Sequence, residues 1–163
     1  SKLSGDFLLR SGKRSSTYFD KYLFESNPVL LRQISIEMKN LIPIGTEVLA
    51  GLEMGGIPIV TALSLETGIP SAFIRKKSKD YGTCKSSEGA PLLGNSFVLI
   101  EDVVSSGGAI IDAVRMLRSD GLNPKIAICV IDRESGGKQA LAEIGIKLIS
   151  LYQYSDIENS DLS

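Results

Sequence analysis

Between Val98 and Ala109 the chain reads Val-Leu-Ile-Glu-Asp-Val-Val-Ser-Ser-Gly-Gly-Ala, so that a hydrophobic run, an acidic pair and a turn of small residues follow one another without a gap. Phe97 to Ile100 are apolar at every position, the pattern of a strand covered on both faces inside a parallel sheet. Ile110, Val114 and Leu117 then fall on one helical face, and Gly121 follows a last turn containing Arg115 and Arg118, as a helix stop should. Strand, turn and helix in that order put the turn at the carboxyl end of a strand, where open α/β sheets bind their ligands.

The turn has its own chemistry. Backbone N–H groups from Ser105 to Ala109, helped by the positive end of the following helix, can converge on a phosphate. The carboxylates of Glu101 and Asp102 would repel that phosphate and suit hydroxyl groups instead, so the whole run has the residues to hold both ends of a ribose 5-phosphate. Taken alone, it also fits an ordinary strand-to-helix turn with a solvated acidic pair.

Composition narrows the field. At 163 residues the chain has the length of one domain. An apolar share of 43% suffices for a core, while a net charge of −1 gives no electrostatic case for nucleic acid or an anionic membrane as partner. No apolar run approaches the roughly 20 residues of a membrane span, and the first residues lack the apolar segment of a signal peptide, so a cytoplasmic protein is expected. Cys84 sits in a polar stretch and Cys129 in an apolar one, which points to two reduced thiols rather than a disulfide or a zinc site. There is no histidine. Its absence excludes Ser-His-Asp hydrolases, His-Cys proteases and H-E-x-x-H metalloproteases, leaving positioning, charge and carboxylates as the means of any catalysis.

Helical periodicity is expected over Pro28 to Leu41, over Pro58 to Leu65 and near Lys138 to Glu143. Short apolar strands are expected at Glu47 to Ala50, Ser71 to Ile74, Lys125 to Ile131 and Lys147 to Leu151. Such alternation predicts a parallel sheet with helices on both faces. The first 25 or so residues do not follow it and are expected to form a small appendage over one end of the sheet. Arg75 to Gly89 shows no apolar periodicity and carries Arg75, Lys76, Lys77, Lys79 and Lys85. It reads as a long loop able to close over a polyanion, although a charge run by itself also describes a solvated loop.

Four blocks in order carry a resemblance to a known family. They are Leu9-Arg10-Ser11-Gly12 with Tyr18-Phe19-Asp20, Arg75-Lys76 with Lys79-Asp80-Tyr81-Gly82 and Glu88-Gly89, Glu101 to Ala109, and Asp132-Arg133-Glu134. The third resembles the signature of the type I phosphoribosyltransferases, and the lysine-rich loop and Asp-Arg-Glu turn resemble the orotate-using branch. The resemblance implies an α/β fold of that type in a single domain, residues 1–163. A central parallel sheet would be flanked by helices, with a small N-terminal hood over about residues 1–25 and a flexible lid. It implies a pentosyltransferase that joins orotate to the phosphoribosyl group of 5-phosphoribosyl 1-diphosphate, releasing pyrophosphate, in pyrimidine nucleotide synthesis.

By the same resemblance, Lys79, Glu101 and Asp102 would be catalytic. Arg75, Lys76, Lys79 and Tyr81 would hold the diphosphate, with Glu101 and Asp102 on the ribose hydroxyls and Val103, Val104, Ser105, Ser106, Gly107, Gly108 and Ala109 around the 5-phosphate. Orotate would meet Arg10, Tyr18, Phe19, Ser105 and Arg133, the last pairing with its carboxylate. Magnesium would ride mainly on substrate oxygens, with no dedicated protein ligand. The lysine matching Lys79 reaches a neighbouring active site in similar enzymes, which implies a homodimer. Three positions depart from the family pattern. Tyr81, neutral at pH 7, stands where many family loops carry histidine; the turn Gly51 to Pro58 lacks the lysine often found just before Gly-Ile-Pro; and the usual N-terminal helix is missing or shortened. The rival readings are a sister transferase for a purine or uracil, and a non-catalytic sensor of phosphoribosyl diphosphate on the same fold.

Overall fold

A computed structural model describes residues 2–8, 14–19, 21–76 and 86–160. Strands β1 (Lys2–Leu8) and β2 (Arg14–Phe19) pair antiparallel in a two-stranded sheet of their own, Leu3 opposite Tyr18 and Lys2 opposite Phe19. After the short helix α1 (Lys21–Ser26), α2 (Pro28–Met38) starts where Asn27 Oδ1 accepts the N–H groups of Val29 and Leu30, with Pro28 in the first turn. These are an N-cap and a proline in their favoured places. A single 3-10 turn, Lys39–Leu41, accounts for the end of the stretch expected to be helical.

The rest alternates as expected except for β5 and the closing helix α6, which the sequence did not suggest: β3 (Val48–Leu52), α3 (Gly56–Thr67), β4 (Ser71–Ile74), β5 (Ser87–Gly89), β6 (Phe97–Val104), α4 (Gly108–Ser119), β7 (Ile126–Asp132), α5 (Gly137–Glu143), β8 (Lys147–Gln153) and α6 (Tyr154–Ser160). Six strands form one sheet in the order β5-β4-β3-β6-β7-β8. All neighbours are parallel except β4 and β5. The chain leaves β3 for β4 on one side and β6 for β7 on the other. The order therefore reverses between β3 and β6, the switch point at which such sheets open a crevice.

Alternation along β6 builds both cores at once. Val98 and Ile100 pack with Ile59, Val60 and Leu63 of α3 and with Met38 of α2, whereas Leu99 packs with Ile110, Val114 and Leu117 of α4. The helix stops are local: Gly68 takes φ 73° after α3, and Leu122 N–H returns to the Leu117 carbonyl after α4, beside Gly121 at φ 78°.

Two expectations need correction. β6 does not stop at Ile100 but runs on through Glu101 and Asp102 to Val104, because its pairing with β7 continues to the Val104–Asp132 register; apolar patterning cannot signal a strand end made of acids. Ser87 to Gly89, expected within the loop, instead adds an antiparallel edge to β4, with Phe73 opposite Glu88. Its residues have no strand preference of their own, and the edge rests on the existing ladder. Among the described residues no helix is long and apolar enough to cross a membrane.

One contact ties α2 to the far edge of the sheet: the Tyr152 hydroxyl donates to Glu37 Oε2 at 2.6 Å. That hydrogen bond, then burial and the nearby carboxylate charge, pushes the Tyr152 phenol up from 10.0 to about 12. Because the folded value is raised, the contact's contribution is fully present below pH 10 and lost as pH rises toward 12. A tyrosinate absorbance titration should show a late-ionising component that disappears in Tyr152→Phe. The variant should also lose the wild-type fall in stability across that window, and an unchanged slope would show that the contact contributes nothing.

Candidate active site

The acidic pair lies inside the fold. Glu101 is 6% exposed and Asp102 is fully buried, which removes the reading of a solvated pair. Burying carboxylates is costly unless their oxygens are satisfied. Here Glu101 Oε1 accepts the Asp102 N–H at 3.0 Å, and Asp102 Oδ1 accepts the Val103 N–H at 2.5 Å. As neighbours on a strand they turn to opposite sides. Glu101 lines a cavity of about 170 Å³ together with Val103, Val104 and Ser105 to Ile110. Asp102 faces the turn between β3 and α3 at Gly55.

The turn from Ser105 to Ala109 is exposed except at Gly107. Gly107 occupies the left-handed region at φ 80° as the residue before α4, with no side chain capping the helix. The first-turn N–H groups of α4 therefore keep their capacity to receive an anion. Neighbouring backbone braces the turn from below. The Arg133 N–H donates to the Val104 carbonyl at 2.8 Å and the Gly137 N–H to the Ser105 carbonyl at 2.9 Å. A Cβ at Gly137 would lie 2.5 Å from that Ser105 oxygen, so the close approach requires glycine there. The Gly136-Gly137 pair was not singled out in the sequence, although two glycines opening a helix were the available signal.

On the other side of the turn, a groove of about 500 Å³ is lined by Leu52, Glu53, Arg75, Lys76, Ser106, Gly108 and Ala109, among others. It brings the root of the basic loop against the start of α4. Arg75 and Lys76 leave the end of β4: the Arg75 N–H donates to the Ser86 carbonyl, its guanidinium lies 4.0 Å from Glu88 on β5, and the Lys76 N–H donates to Glu53 Oε1. Arg75 Nε is buried without a hydrogen-bond partner among the described residues, and Arg75 lines the groove. Glu53 is a second residue that sequence reasoning passed over.

The lysine missing before Gly-Ile-Pro has a steric explanation. Gly55 stands at that place, and a Cβ there would overlap the carboxylate of Asp102. The main chain of the β3–α3 turn thus closes directly over the buried acid. Arg133 follows β7 at the same end of the sheet and is exposed. Tyr18 and Phe19 lie on β2 of the two-stranded sheet. Arg10, Lys79, Tyr81 and Cys84 lie outside the described residues. Cys129, opposite Glu101 on β7, is a free buried thiol. Burial first, and then the charges of Asp132, Glu101 and Asp102, push its pKa up, so it stays protonated and inert.

A switch-point crevice with an uncapped, glycine-turned helix start, a buried acidic pair and a basic rim has the parts to bind a phosphoribosyl group. In agreement, residues 29–148 match the family model described as phosphoribosyl transferase domain, and the chain belongs to that family. An orotate phosphoribosyltransferase from Nocardioides sp. is 48% identical over 147 residues, 90% of this chain and 82% of that protein. One from Methanocella arvoryzae is 42% identical over 153 residues, 94% of this chain and 87% of that protein. The crystal structure of orotate phosphoribosyltransferase from Mycobacterium tuberculosis superposes with a TM-score of 0.85 at 25% identity, covering 96% of this chain and 91% of that one. Within the family, this chain groups with the orotate phosphoribosyltransferases.

The overlap at Gly55 gives a stability test. Its φ of −64° suits alanine, and the three atoms nearest an added Cβ all belong to Asp102, so Gly55→Ala acts first on Asp102. Denaturant unfolding should show a loss of about 1–3 kcal/mol, as overpacking does. The loss should shrink markedly in an Asp102→Ala background, and an equal loss in both backgrounds would show that the two residues do not press on each other.

Proposed function

We propose that this chain transfers the 5-phosphoribosyl group of phosphoribosyl diphosphate to orotate, giving orotidine 5-monophosphate and pyrophosphate in pyrimidine nucleotide synthesis. The observation that carries the reading is the groove in which Arg75 and Lys76 meet Ser106, Gly108 and Ala109. It has the parts for a diphosphate at one end and a 5-phosphate at the other, with the acidic pair beneath.

The chemistry sets matching demands. As the bond from the anomeric carbon to the diphosphate oxygen breaks, the ribose gains oxocarbenium character and the leaving group gains negative charge, while the orotate nitrogen forms the new bond on that carbon. Glu101 takes the ribose hydroxyls, while Asp102, covered by Gly55 in this structure, sets negative charge near the sugar and meets a hydroxyl only when the β3–α3 turn moves aside. The N–H groups of Ser105 to Ala109, with Val103 and Val104 shaping the strand end, anchor the 5-phosphate. Arg75, Lys76 and Lys79 take the charge of the departing diphosphate, and Tyr81 offers a neutral donor beside them. Arg133 pairs with the orotate carboxylate, with Arg10, Tyr18, Phe19 and Ser105 completing the base pocket.

Magnesium fits this arrangement as a passenger of the substrate. Among the described residues no group of three or more His, Cys, Asp or Glu side chains could hold a metal, and magnesium prefers phosphate oxygens and water. When bound, it neutralises diphosphate charge. We further read the chain as a single domain whose first 25 or so residues form a hood, as a cytoplasmic enzyme, and as a homodimer in which Lys79 serves the neighbouring site.

Purified protein mixed with magnesium, phosphoribosyl diphosphate and orotate should consume orotate, followed by its ultraviolet absorbance. Chelating the magnesium should stop the reaction, and uracil and hypoxanthine should not replace orotate. Lys79→Ala and Arg75→Ala should each lower kcat by about 10²- to 10³-fold, the scale for removing a donor to developing negative charge. Turnover of another base would move the chain to a sister transferase, and binding of phosphoribosyl diphosphate without turnover of any base would make it a sensor.

A further inference from the structure

We propose that Tyr154 is a positioning residue for base recognition, holding the Arg133 guanidinium against its ring so that the edge of that group is presented to a carboxylate-bearing base. The inference rests on the reading of Arg133 as the orotate partner. The Arg133 guanidinium carbon lies 5.6 Å from the centroid of the Tyr154 ring, within the range of a cation–π contact. Among the described residues Arg133 makes no ion pair, and the adjacent carboxylate is engaged elsewhere: Glu134 Oε2 accepts the Ser155 N–H at 2.8 Å.

The same contacts make the turn and α6 one unit. Glu134 sits at φ 54° with its N–H on Asp132 Oδ1 at 2.9 Å, so the chain reverses sharply just after Arg133 and sends the Glu134 side chain to the start of α6. The Gln153 N–H donates to Asp156 Oδ2, and Ile157 packs against the core beneath α3, which fixes α6 from its other side. Tyr154 is therefore a half-buried ring on an anchored element, while Arg133 is exposed and would otherwise sample many rotamers. With the guanidinium over the ring the attraction acts on the cation as a whole and uses none of its N–H groups as hydrogen-bond donors, so they stay available for a bidentate carboxylate. Tyr154 thus orders the arginine before the base arrives without competing for its donors, and binding loses less entropy.

The test is steady-state kinetics of the purified enzyme with orotate and phosphoribosyl diphosphate, comparing wild type, Arg133→Ala, Tyr154→Leu, Tyr154→Phe and the Arg133→Ala/Tyr154→Leu double variant. Tyr154→Leu should raise the KM for orotate about two- to five-fold, the size of an exposed cation–π contact. It should leave kcat and the KM for phosphoribosyl diphosphate unchanged. Tyr154→Phe, which keeps the ring, should behave as wild type, and Tyr154→Leu should add nothing once Arg133 is gone. If Arg133→Ala raises the orotate KM but Tyr154→Leu does not, or if Tyr154→Leu acts equally in both backgrounds or on both substrates, the positioning role is overturned while the reading of Arg133 stands. If Arg133→Ala leaves the orotate KM unchanged, the reading of Arg133 fails and the inference falls with it.

Discussion

The arrangement of this molecule depends on how two adjacent carboxylates are kept inside the carboxyl end of β6. An ionised group withdrawn from water is costly in proportion to the hydrogen bonds it forgoes. Glu101 and Asp102 recover part of that cost from the N–H groups that follow them in their own strand. The surroundings must then come close enough to exclude water, and main chain does so where side chains cannot. Gly55 closes over Asp102, and a Cβ at Gly137 would press on the Ser105 carbonyl. The glycines around this strand end are thus the condition for placing negative charge beneath a turn that, in the proposed function, receives a phosphate.

The sequence displayed the parallel core clearly, because apolar runs such as Val48 to Leu52 and Ile126 to Ile131 can be satisfied only between two covered faces. The start of α2 at Pro28 was equally legible, since a proline in the first turn acts on its own helix. What could not be read were features decided by a partner. The last four residues of β6 are strand because β7 continues beside them, and β5 exists because β4 offers an edge. The site divided in the same way. Ser105 to Ala109 announce themselves through local turn chemistry, whereas Glu53, Gly137 and Tyr154 matter through residues 23, 32 and 21 positions away, respectively, to which no local pattern points.

Charge is distributed along the crevice in a sequence that suits a reaction separating charge. The carboxylates are buried beneath the proposed sugar position, and the described cations Arg75 and Lys76 stand at the rim, just past the end of β4. Buried carboxylates act through a low dielectric and keep their orientation, which favours a cationic sugar. Rim cations remain partly hydrated and can follow a departing anion. A chain without histidine is under no handicap in such a reaction, because the chemical step asks for placed charge rather than for a base poised near neutrality.

The two ends of the proposed substrate meet different kinds of structure, with consequences for what can change. The phosphate end is built from main-chain N–H groups and from glycines whose replacement would force neighbours apart. Its tolerance is set by backbone geometry and is low. The base end as proposed rests mainly on side chains, and the one that would pair with the carboxylate, Arg133, is exposed, held by a ring from α6 and by a turn whose strain lies at Glu134. Few buried atoms depend on it. Replacing the arginine or loosening α6 would alter which base is accepted while leaving the sheet, the acidic pair and the phosphate turn intact, so the fold separates the machinery for the sugar from the device that selects its partner.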